Sequence, residues 1–591
     1  MEFRADIQIL RGLAVAFVVF FHLETAGLSS GFLGVDVFFV VSGFLMAILY
    51  KTGQTKPFFE RRAKRLIPAY FATVVLTLLA SLFIVLPSEL EQVVTQSIYS
   101  LFFANNIGFW MQNSYFSKSD FNPLLHLWSL GVEIQFYLIV PLLAWIFRKS
   151  KALLPLAILF SFAACIFIVG ISPKTSFFMM PLRMWEFLIG FATACYFTLN
   201  GGVKYKNLNI IGLIGLIILI AIPFMNVDGQ SLNRMLGHPS LYALGVCLAT
   251  ASIIAFGLPN IIVSSFIGRL FAKVGDYSYS IYLVHFPIIV LYLYQPFSGT
   301  RLYPERYSDK VILLILIALA AFFMHRFIEA RRINNIMKVY GASLISIIVL
   351  IGATNVLPSF MYNEREQNIF SGLKDRAQYR CGKLMRITNP RDISCKLNEQ
   401  NFNKSVLLVG NSHADSIKQS FQKVANEQGF NTYFLVSNTP LMDSSVTPSQ
   451  LIDEAVNRKI DHIILHYSPG SLKIEKLDEL LKLAKDKNIK VDLILPIPVY
   501  DESIPKVLYL NTAKPYDADK YLSQNSAYSK EINKLKSKYS LFKTNETYQY
   551  LCDPICQISS TDGKPYYFDK DHLTLTGARN LEPVFREILS I

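Results

Sequence analysis

The stretch DIQILRGLAVAFVVFFH (residues 6–22) places an arginine and a histidine inside an apolar run long enough to cross a membrane. Arg11 and His22 lie eleven positions apart. A helix would therefore carry them on one side, about 16 Å apart along its axis. Because ionisable residues are costly in lipid unless they are paired or line a cavity, this stretch predicts a spanning helix with a polar site.

The rest of the chain predicts a membrane protein with one soluble part. Of its 591 residues, 52% are hydrophobic and only 17% are charged, which is too apolar for a single water-soluble core. Apolar runs recur up to about residue 360, and mixed polar sequence follows. About ten core spans and one linking span are expected at roughly 20 residues each, near 8–28, 33–50, 66–87, 125–147, 152–172, 180–199, 207–226, 239–257, 277–297, 309–328 and 341–358. The stretch 91–110 suits a re-entrant or interfacial helix.

The basic residues indicate how these spans are oriented. Lys and Arg concentrate in every second loop, in 51–65, 148–151, 201–207, 269–273 and 325–338, and are sparse in the loops between them. The positive-inside rule then predicts a cytoplasmic N-terminus and a C-terminal domain on the opposite side of the membrane. These loops also account for the net charge of +14, so we expect a lipid bilayer and no nucleic acid as partner.

Several further spans carry ionisable residues. Each one alone is explained equally well by hydrogen bonding between helices, but together they predict a shared polar site. A neutral His22 is the member suited to take a proton from a hydroxyl near neutral pH. This argument does not separate an enzyme from a transporter. The residues concerned are Asp36, Glu133, Arg183, Glu186 and His285.

At these residues the sequence resembles the acyltransferase-3 family of integral membrane acyltransferases. The resemblance covers roughly residues 1–335 in family order and depends on the agreement of several separate motifs. These are the opening stretch, GFLGVDVFFVVSGFL (31–45), RRAKRLIPAYF (61–71), LHLWSLGVEIQFYLIVPLL (125–143), RMWEFLIG (183–190) and VGDYSYSIYLVHFP (274–287).

The resemblance implies transfer of an acyl group, usually acetyl, from cytoplasmic acetyl-CoA as donor and co-substrate. The acceptor would be a hydroxyl of an extracytoplasmic surface glycan. Lipopolysaccharide O-antigen or lipooligosaccharide is favoured, and capsule and peptidoglycan stay open. It implies a multi-pass protein of the bacterial cytoplasmic (inner) membrane. His22 matches the family's proposed catalytic histidine and Arg11 its partner, and Asp36 and Glu133 complete the candidate catalytic set there.

A basic loop is the candidate binding site for the phosphates of coenzyme A. Its charge suits those phosphates, but the positive-inside rule explains it equally well. Both readings stay open for Arg61, Arg62, Lys64 and Arg65.

The soluble part alternates short apolar runs with amphipathic helices, which predicts a parallel sheet covered on both faces. GNSH (410–413) follows the first of these strands, and DKDH (569–572) precedes the last helix. Side chains at the carboxyl ends of parallel strands meet along one edge, so Ser412 could converge there with an Asp-x-x-His pair. Histidine would deprotonate the serine, and aspartate would hold the imidazole in the useful tautomer.

This half resembles the SGNH hydrolase family in the form fused behind acyltransferase-3 domains. The resemblance implies an α/β/α domain with Ser412 as nucleophile, His572 as base and Asp569 as third member of the triad. Asn411 stands where the family commonly has Asp. The Gly and Asn that complete the family's oxyanion hole have no clear match, and 437–441 and 466–471 are the nearest positions, so the Ser412 N–H is the one donor we name.

Four of the seven cysteines lie in the polar part, where an oxidising compartment would allow disulfides. We expect a local Cys552–Cys556 bond, with Cys381–Cys395 as the second. No Cys and His residues recur at metal-ligand spacing, so no metal is predicted.

The expected organisation is an acyltransferase-3 transmembrane domain (1–335), an eleventh span with a polar linker (336–404) and an SGNH-like domain (405–591). The main alternative is a polytopic transporter of acyl donors or lipid-linked sugars with an appended binding or esterase domain. A transporter favours an inverted repeat with broken helices, which the sequence does not display. A membrane-anchored esterase would need only one span.

Overall fold

The computed structural model describes residues 4–25, 27–112, 120–199, 202–203, 205–229, 231, 233–331, 335–377, 381, 392–435, 437, 440–441 and 446–590. The chain divides into two compact units, Met1–Val356 and Leu357–Ile591. The dividing point lies inside a helix that the sequence predicts as the linking span.

The first unit is almost wholly helical, because apolar segments in lipid must satisfy their backbone hydrogen bonds internally. A two-stranded hairpin, β1 (Thr198–Leu199) with β2 (Gly202–Val203), interrupts the helices. The helices are α1 (Ala5–His22), α2 (Gly34–Leu49), α3 (Thr55–Ile84), α4 (Pro87–Leu101), α5 (Asn105–Met111), α6 (Trp128–Lys149), α7 (Leu153–Val169), α8 (Pro173–Phe178), α9 (Met180–Phe197), α10 (Asn209–Ala221), α11 (Leu241–Phe256), α12 (Asn260–Val263), α13 (Phe266–Asp276), α14 (Ser278–Tyr292), α15 (Tyr307–Met324) and α16 (Ile336–Met361).

Within the described residues, six helical segments are long and apolar enough to cross a membrane. They are Ala5–His22, Gly31–Leu49, Thr55–Ile84, Leu125–Lys149, Tyr307–Glu329 and Ile336–Met361. A seventh span results if α13 and α14, which meet at an angle of 72°, count as one bent span.

The eleven expected spans are therefore not confirmed. Three predicted spans form apolar helices of fewer than 18 residues. The stretch 91–110 forms parts of α4 and α5, neither of which has the length of a span. The three short apolar helices are Leu153–Val169, Asn209–Phe224 and Leu241–Phe256.

Glycines bring the central helices into backbone contact. A Cβ at Gly43 of α2 would lie 1.9 Å from the carbonyl oxygen of Phe187 on α9, and one at Gly190 of α9 would lie 1.9 Å from that of Val40. Small residues allow such close approach between membrane helices. The close contact between the two backbones therefore determines how α2 packs against α9, independently of the polar contacts between these helices.

The second unit is built around a six-stranded sheet in the order β3-β5-β4-β6-β7-β8. Its helices are α17 (Glu364–Ser371), α18 (Ser412–Glu427), α19 (Pro448–Asn457), α20 (Ile474–Asp486), α21 (Ile504–Leu510), α22 (Ala518–Lys538), α23 (Leu575–Arg579) and α24 (Glu582–Leu589). Its strands are β3 (Ser394–Lys396), β4 (Lys404–Gly410), β5 (Phe430–Leu435), β6 (His462–His466), β7 (Lys490–Ile494), β8 (Phe542–Asn545) and the short pair β9 (Cys552–Asp553) and β10 (Ile555–Cys556).

The sheet is mixed, which corrects the prediction of an all-parallel sheet. Five strands are parallel, but β3 pairs antiparallel with β5, with Cys395 opposite Phe434. The strand β3 lies in the segment predicted as a polar linker and has only three residues, too few for a visible apolar pattern. Both expected disulfides are present, Cys381–Cys395 and Cys552–Cys556.

Apolar side chains fill both faces of this sheet. One face packs against α18 and α24 through Ile417, Phe421 and Phe585, and the other packs against α19 and α20. This two-sided burial explains why the inner strands read as continuous apolar runs. It also leaves polar groups at the strand ends, where the candidate site lies.

Candidate functional site

Three side chains of the second unit form a hydrogen-bonded line at the edge of the sheet. Nε2 of His572 lies 2.7 Å from Oγ of Ser412, and Nδ1 of His572 lies 2.7 Å from Oδ2 of Asp569. Ser412 is exposed, and the side chain of His572 is 20% exposed. The structure thus brings together the three residues that the sequence singled out. A serine in this arrangement can act as a nucleophile toward an ester carbonyl.

The local sequence explains how Ser412 reaches this position. The strand β4 ends at Gly410, where a Cβ would lie 1.8 Å from the carbonyl oxygen of His466, so only glycine fits. Asn411 caps α18 by accepting a hydrogen bond from the His413 N–H at 3.1 Å. Ser412 is the first residue of that helix, so its backbone N–H points out of the helix start toward a potential anion.

The histidine is held by a turn of its own chain. One oxygen of Asp569 accepts hydrogen bonds from the backbone N–H groups of Asp571 and His572, at 3.0 and 2.8 Å. This Asx turn orients Asp569 so that its other oxygen meets the imidazole. These three hydrogen bonds of Asp569, all within residues 569–572, therefore set the position and the orientation of the His572 imidazole.

Asp571 is a second carboxylate beside His572, and its contact with that histidine was not predicted from the sequence. Its Oδ1 lies 3.0 Å from Nδ1 of His572, and its Oδ2 lies 3.8 Å from Nε2 of the buried His413. Burial alone would lower the pKa of His572, but hydrogen bonds to Asp569 and Asp571 raise it to about 10. The DKDH motif contained the signal, since both acidic residues stand within three positions of the histidine.

Burial has the dominant effect on the neighbouring His413, whose pKa it lowers. Burial would raise the pKa of Asp571, but interactions with His413 and His572 bring it below its ordinary value. The site therefore keeps a carboxylate next to a positively charged imidazole at neutral pH. The neutral form of His572, which the chemistry requires, becomes populated as pH rises toward 10.

The second oxyanion donor is not identified by the structure. In the stretch 466–471, the Ser468 N–H donates to Oδ1 of Asn411 at 3.3 Å, and Nδ2 of Asn411 donates to Oγ of Ser468 at 2.7 Å. These bonds tie that stretch to the cap of α18. The stretch 437–441 lies partly outside the described residues.

Within the residues that the structure describes, one group has the composition of a metal site. Ligand atoms of His413, Asp571 and His572 lie within 4.8 Å of one another. Asp571 already hydrogen-bonds His572, which also contacts Ser412 and Asp569. We therefore assign this group to the triad and its surroundings.

The first unit contains a cavity with three arginines on its wall. Arg11 of α1 and Arg62 and Arg65 of α3 line it together with Glu133 of α6. Arg61 and Lys64, predicted as part of the same binding set, are exposed and do not line the cavity. Three cations face one carboxylate there, so the cavity favours an anionic guest.

Glu133 is held by hydroxyl groups at the cavity wall. It accepts short hydrogen bonds from the hydroxyls of Ser42 and Tyr137. These contacts hold Glu133 at the cavity wall, and its catalytic role stays a prediction.

His22, the last residue of α1, lies among buried histidines. Its Nδ1 is 3.3 Å from Nε2 of His285 on α14, and only 2% of His22 is exposed. A third histidine, His126, lies beside His285 with ring centroids 5.6 Å apart. The sequence reasoning named His22 and His285 but missed His126, whose signal was a histidine inside the apolar stretch 125–143.

Asp36 belongs to a different polar cluster. The guanidinium of Arg183 donates to Oδ1 of Asp36 at 2.6 Å and pairs with Glu186 at 2.8 Å, and its Nη1 lies 3.0 Å from Nε2 of His238. All four side chains are almost fully buried. These contacts join α2 to α9 and favour a structural role for Asp36, whose catalytic role stays a prediction.

Comparison with known families agrees with both halves of this description. A family described as acyltransferase domain matches residues 4–324, and one described as an SGNH domain fused to such domains matches residues 380–587. Because the first match covers more than half of the chain, the chain belongs to the acyltransferase family of membrane proteins with a fused SGNH domain. The resemblance seen in the sequence motifs is confirmed.

Curated relatives share this family. The chain is 33% identical over 347 residues to the O-acetyltransferase OatA of Staphylococcus aureus, covering 54% of this chain and 55% of that protein. It is 33% identical over 311 residues to the peptidoglycan O-acetyltransferase OatA of Listeria monocytogenes, covering 48% and 49%. A putative O-acetyltransferase of Staphylococcus aureus is 25% identical over 566 residues, covering 86% and 89%. The chain spans about half the length of the first two relatives, and no solved structure matches it.

Proposed function

We propose that this protein is an O-acetyltransferase that moves an acetyl group from acetyl-CoA to a hydroxyl of a glycan outside the cytoplasm. The observation that carries the proposal is the hydrogen-bonded triad of Ser412, His572 and Asp569. This triad lies in a chain whose membrane unit belongs to the acyltransferase family. The names of the relatives support acetyl as the transferred group.

The donor in this proposal is acetyl-CoA, held at the cavity lined by Arg11, Arg62 and Arg65. Guanidinium groups suit phosphates because they offer several donors in a fixed plane. The basic loops of the sequence favour a cytoplasmic face for this end of the protein. The proposed location is the bacterial inner membrane, with the second unit on the far side.

In the membrane unit, His22 would act as general base. It takes the proton of an acceptor hydroxyl as that oxygen attacks the thioester carbonyl; the carbon–sulfur bond then breaks, and the proton passes to the thiolate of coenzyme A. Its place beside His285 supports a neutral imidazole rather than a charged one.

In the second unit, Ser412 would carry the acetyl group as an ester. The Ser412 oxygen attacks the carbonyl of the acetyl ester formed in the membrane unit while His572 takes its proton, and the Ser412 N–H stabilises the oxyanion. The bond between the acetyl carbon and the alcohol oxygen of that ester then breaks, and His572 gives its proton to the departing alcohol oxygen. A sugar hydroxyl then reverses these steps and regenerates the serine. In a direct transfer by the membrane unit, His22 would serve as the base without the Ser412–His572–Asp569 triad, and the second unit would bind the acceptor.

The acceptor we propose is a cell-envelope glycan. Peptidoglycan is the first candidate to assay, because it stands in the name of the Listeria relative. Lipopolysaccharide O-antigen or lipooligosaccharide, which the sequence resemblance favoured, is the second.

The test is the amount of ester-linked acetate on glycans from cells that express the wild type, His22→Ala or Ser412→Ala. Loss in both variants is the expected result and supports a serine-borne acetyl group. Loss only in His22→Ala would restrict transfer to the membrane unit. Cells that gain no ester-linked acetate from the wild type would favour the transporter, and full activity in His22→Ala would remove His22 from the mechanism.

A further inference from the structure

The environment of His22 determines which of its ring nitrogens carries the proton. His22, His126 and His285 are all buried, at 2%, 1% and 0% exposure. His22 and His285 approach through one nitrogen each, Nδ1 and Nε2, at 3.3 Å. Two imidazolium rings in such contact would repel each other, so at most one of them is charged.

The backbone fixes the tautomer of His285. Its Nδ1 lies 2.7 Å from the carbonyl oxygen of Tyr282, one turn earlier in α14. A carbonyl oxygen can only accept a hydrogen bond, so Nδ1 of His285 carries a proton. In the neutral ring, Nε2 of His285 then has a lone pair and no hydrogen.

That lone pair in turn determines which ring nitrogen of His22 carries the proton. The ring of His22 also interacts with the backbone carbonyl of Val18, one turn earlier in α1. At the 3.3 Å contact, Nε2 of His285 can only accept, so Nδ1 of the neutral His22 is the donor there. The proton of His22 is therefore on Nδ1, and its Nε2 keeps a lone pair. A lone pair on Nε2 is what a general base needs.

We propose that His285 is the positioning residue of His22, in the place that an aspartate takes in a serine hydrolase triad. This inference rests on the proposed function, in which His22 is the base. A neutral acceptor selects the tautomer without placing a carboxylate in the membrane, where an ionised group is costly.

Tyr282 connects this pair to the cavity. Its carbonyl holds His285, its hydroxyl donates to the carbonyl of His126 at 2.9 Å and lies 2.6 Å from Oγ of Ser129, and its side chain lines the arginine cavity. A continuous set of contacts therefore runs from the proposed donor cavity to the ring of His22. Tyr282 is thus shared between the cavity wall and the histidine pair.

His126 provides a matched control. It is equally buried and its ring packs against His285, but its Nε2 contacts the carbonyl of Leu283 at 3.0 Å instead of His22. Replacing His126 perturbs the packing of the cluster and leaves the His22–His285 hydrogen bond in place.

The first measurement is solid-state nitrogen NMR on full-length protein labelled at its histidine side chains. Subtracting the spectrum of His22→Gln isolates the signals of His22. We expect a protonated Nδ1 and an unprotonated Nε2 in the wild type, retained in His285→Gln, whose amide oxygen can still accept, and lost in His285→Leu. A wild-type His22 with its proton on Nε2 would overturn the inference without any activity assay.

The second measurement is the initial rate at which ester-linked acetate accumulates on cellular glycan after induction, normalised to the amount of inserted protein. His285→Leu should lower this rate about 100-fold or more, as for a general base held in the wrong tautomer. His285→Gln should stay within about tenfold and His126→Gln within about threefold.

The outcomes separate the inference from the proposed function. Equal losses in His285→Leu, His285→Gln and His126→Gln would show a packing role and overturn the inference. An inactive His22→Ala with a fully active His285→Leu would overturn it as well, while the proposed function stands. Full activity in His22→Ala would overturn the proposed function, and the NMR result would still decide the tautomer.

Discussion

The two units surround their candidate catalytic histidines in opposite ways. His572 is partly exposed and contacts two carboxylates, Asp569 and Asp571. His22 is buried and contacts another histidine. Water near His572 can support several charges, whereas the membrane interior favours neutral partners. The difference indicates that solvent access limits which residue types can lie beside a buried or an exposed imidazole.

The largest expected effect tests the solvent-side site. Ser412→Ala in the full-length protein should lower the rate of p-nitrophenyl acetate cleavage by about 10⁴-fold, because the nucleophile is gone. Ser416→Ala is the matched control, since its hydroxyl lies on the same helix and donates to the His413 carbonyl at 2.7 Å. Equal activity in Ser412→Ala and the wild type would show that the triad geometry does not catalyse this reaction.

The second effect distinguishes the two carboxylates. Asp569→Asn should reduce cleavage at pH 7 by about 10²-fold or more, since it removes the residue that orients the imidazole. Asp571→Asn should instead shift the rising part of the pH–rate profile to lower pH. Its carboxylate helps to raise the pKa of His572 to about 10, and only the neutral ring accepts the serine proton. An unshifted profile in Asp571→Asn would show that this carboxylate does not act on the base.

The same pKa predicts how stability depends on pH. Because the folded protein raises the pKa of His572 from 6.5 to about 10, the imidazolium contributes stability that is fully present below pH 6.5. That contribution should be lost as pH rises toward 10. Thermal unfolding of the second unit, followed in the wild type and in His572→Gln, should show the difference between the two proteins shrinking over this range.

The third effect tests the membrane-side site. Arg62→Gln with Arg65→Gln should raise the KM for acetyl-CoA about 10- to 100-fold, because each lost charge-assisted hydrogen bond costs on the order of 1.4 kcal/mol or more. The control is Arg61→Gln with Lys64→Gln, which removes the same charge from exposed positions of the same helix, α3, so the basic segment predicted as a loop is helical. Equal increases in both proteins would mean that only the overall charge of this segment matters.

The smallest effect concerns helix packing around the membrane site. Gly190→Ala should lower the unfolding temperature of the detergent-solubilised protein by several degrees, because its Cβ would overlap the Val40 carbonyl. Gly341→Ala in α16 meets no atom within 4 Å and should leave that temperature unchanged or raise it slightly. A harmless Gly190→Ala would show that α2 and α9 can separate without loss of stability.

The sequence predicted the residues of the triad but not their full environment. Ser412 and the DKDH motif could be placed because strand ends in a parallel sheet share an edge. The antiparallel strand β3 could not, because three residues show no periodicity. The partners of Asp36 could not be predicted either. Arg183 lies 147 positions away in the sequence, and only tertiary packing brings the two side chains together. The span count was not confirmed, because hydropathy alone does not show where a helix bends or ends, as at the 72° angle between α13 and α14.

The buried Arg183 cluster has a consequence for how the protein is made. Asp36 enters the membrane with α2, but its guanidinium partner is synthesised 147 residues later. At about 5–20 residues per second, that interval lasts roughly 7–30 seconds. During this time the carboxylate needs water, a protonated form or the insertion machinery as a temporary partner. The insertion of α9 would then supply Arg183 as the lasting partner of Asp36. The early helices would become stably inserted only at that point in biogenesis.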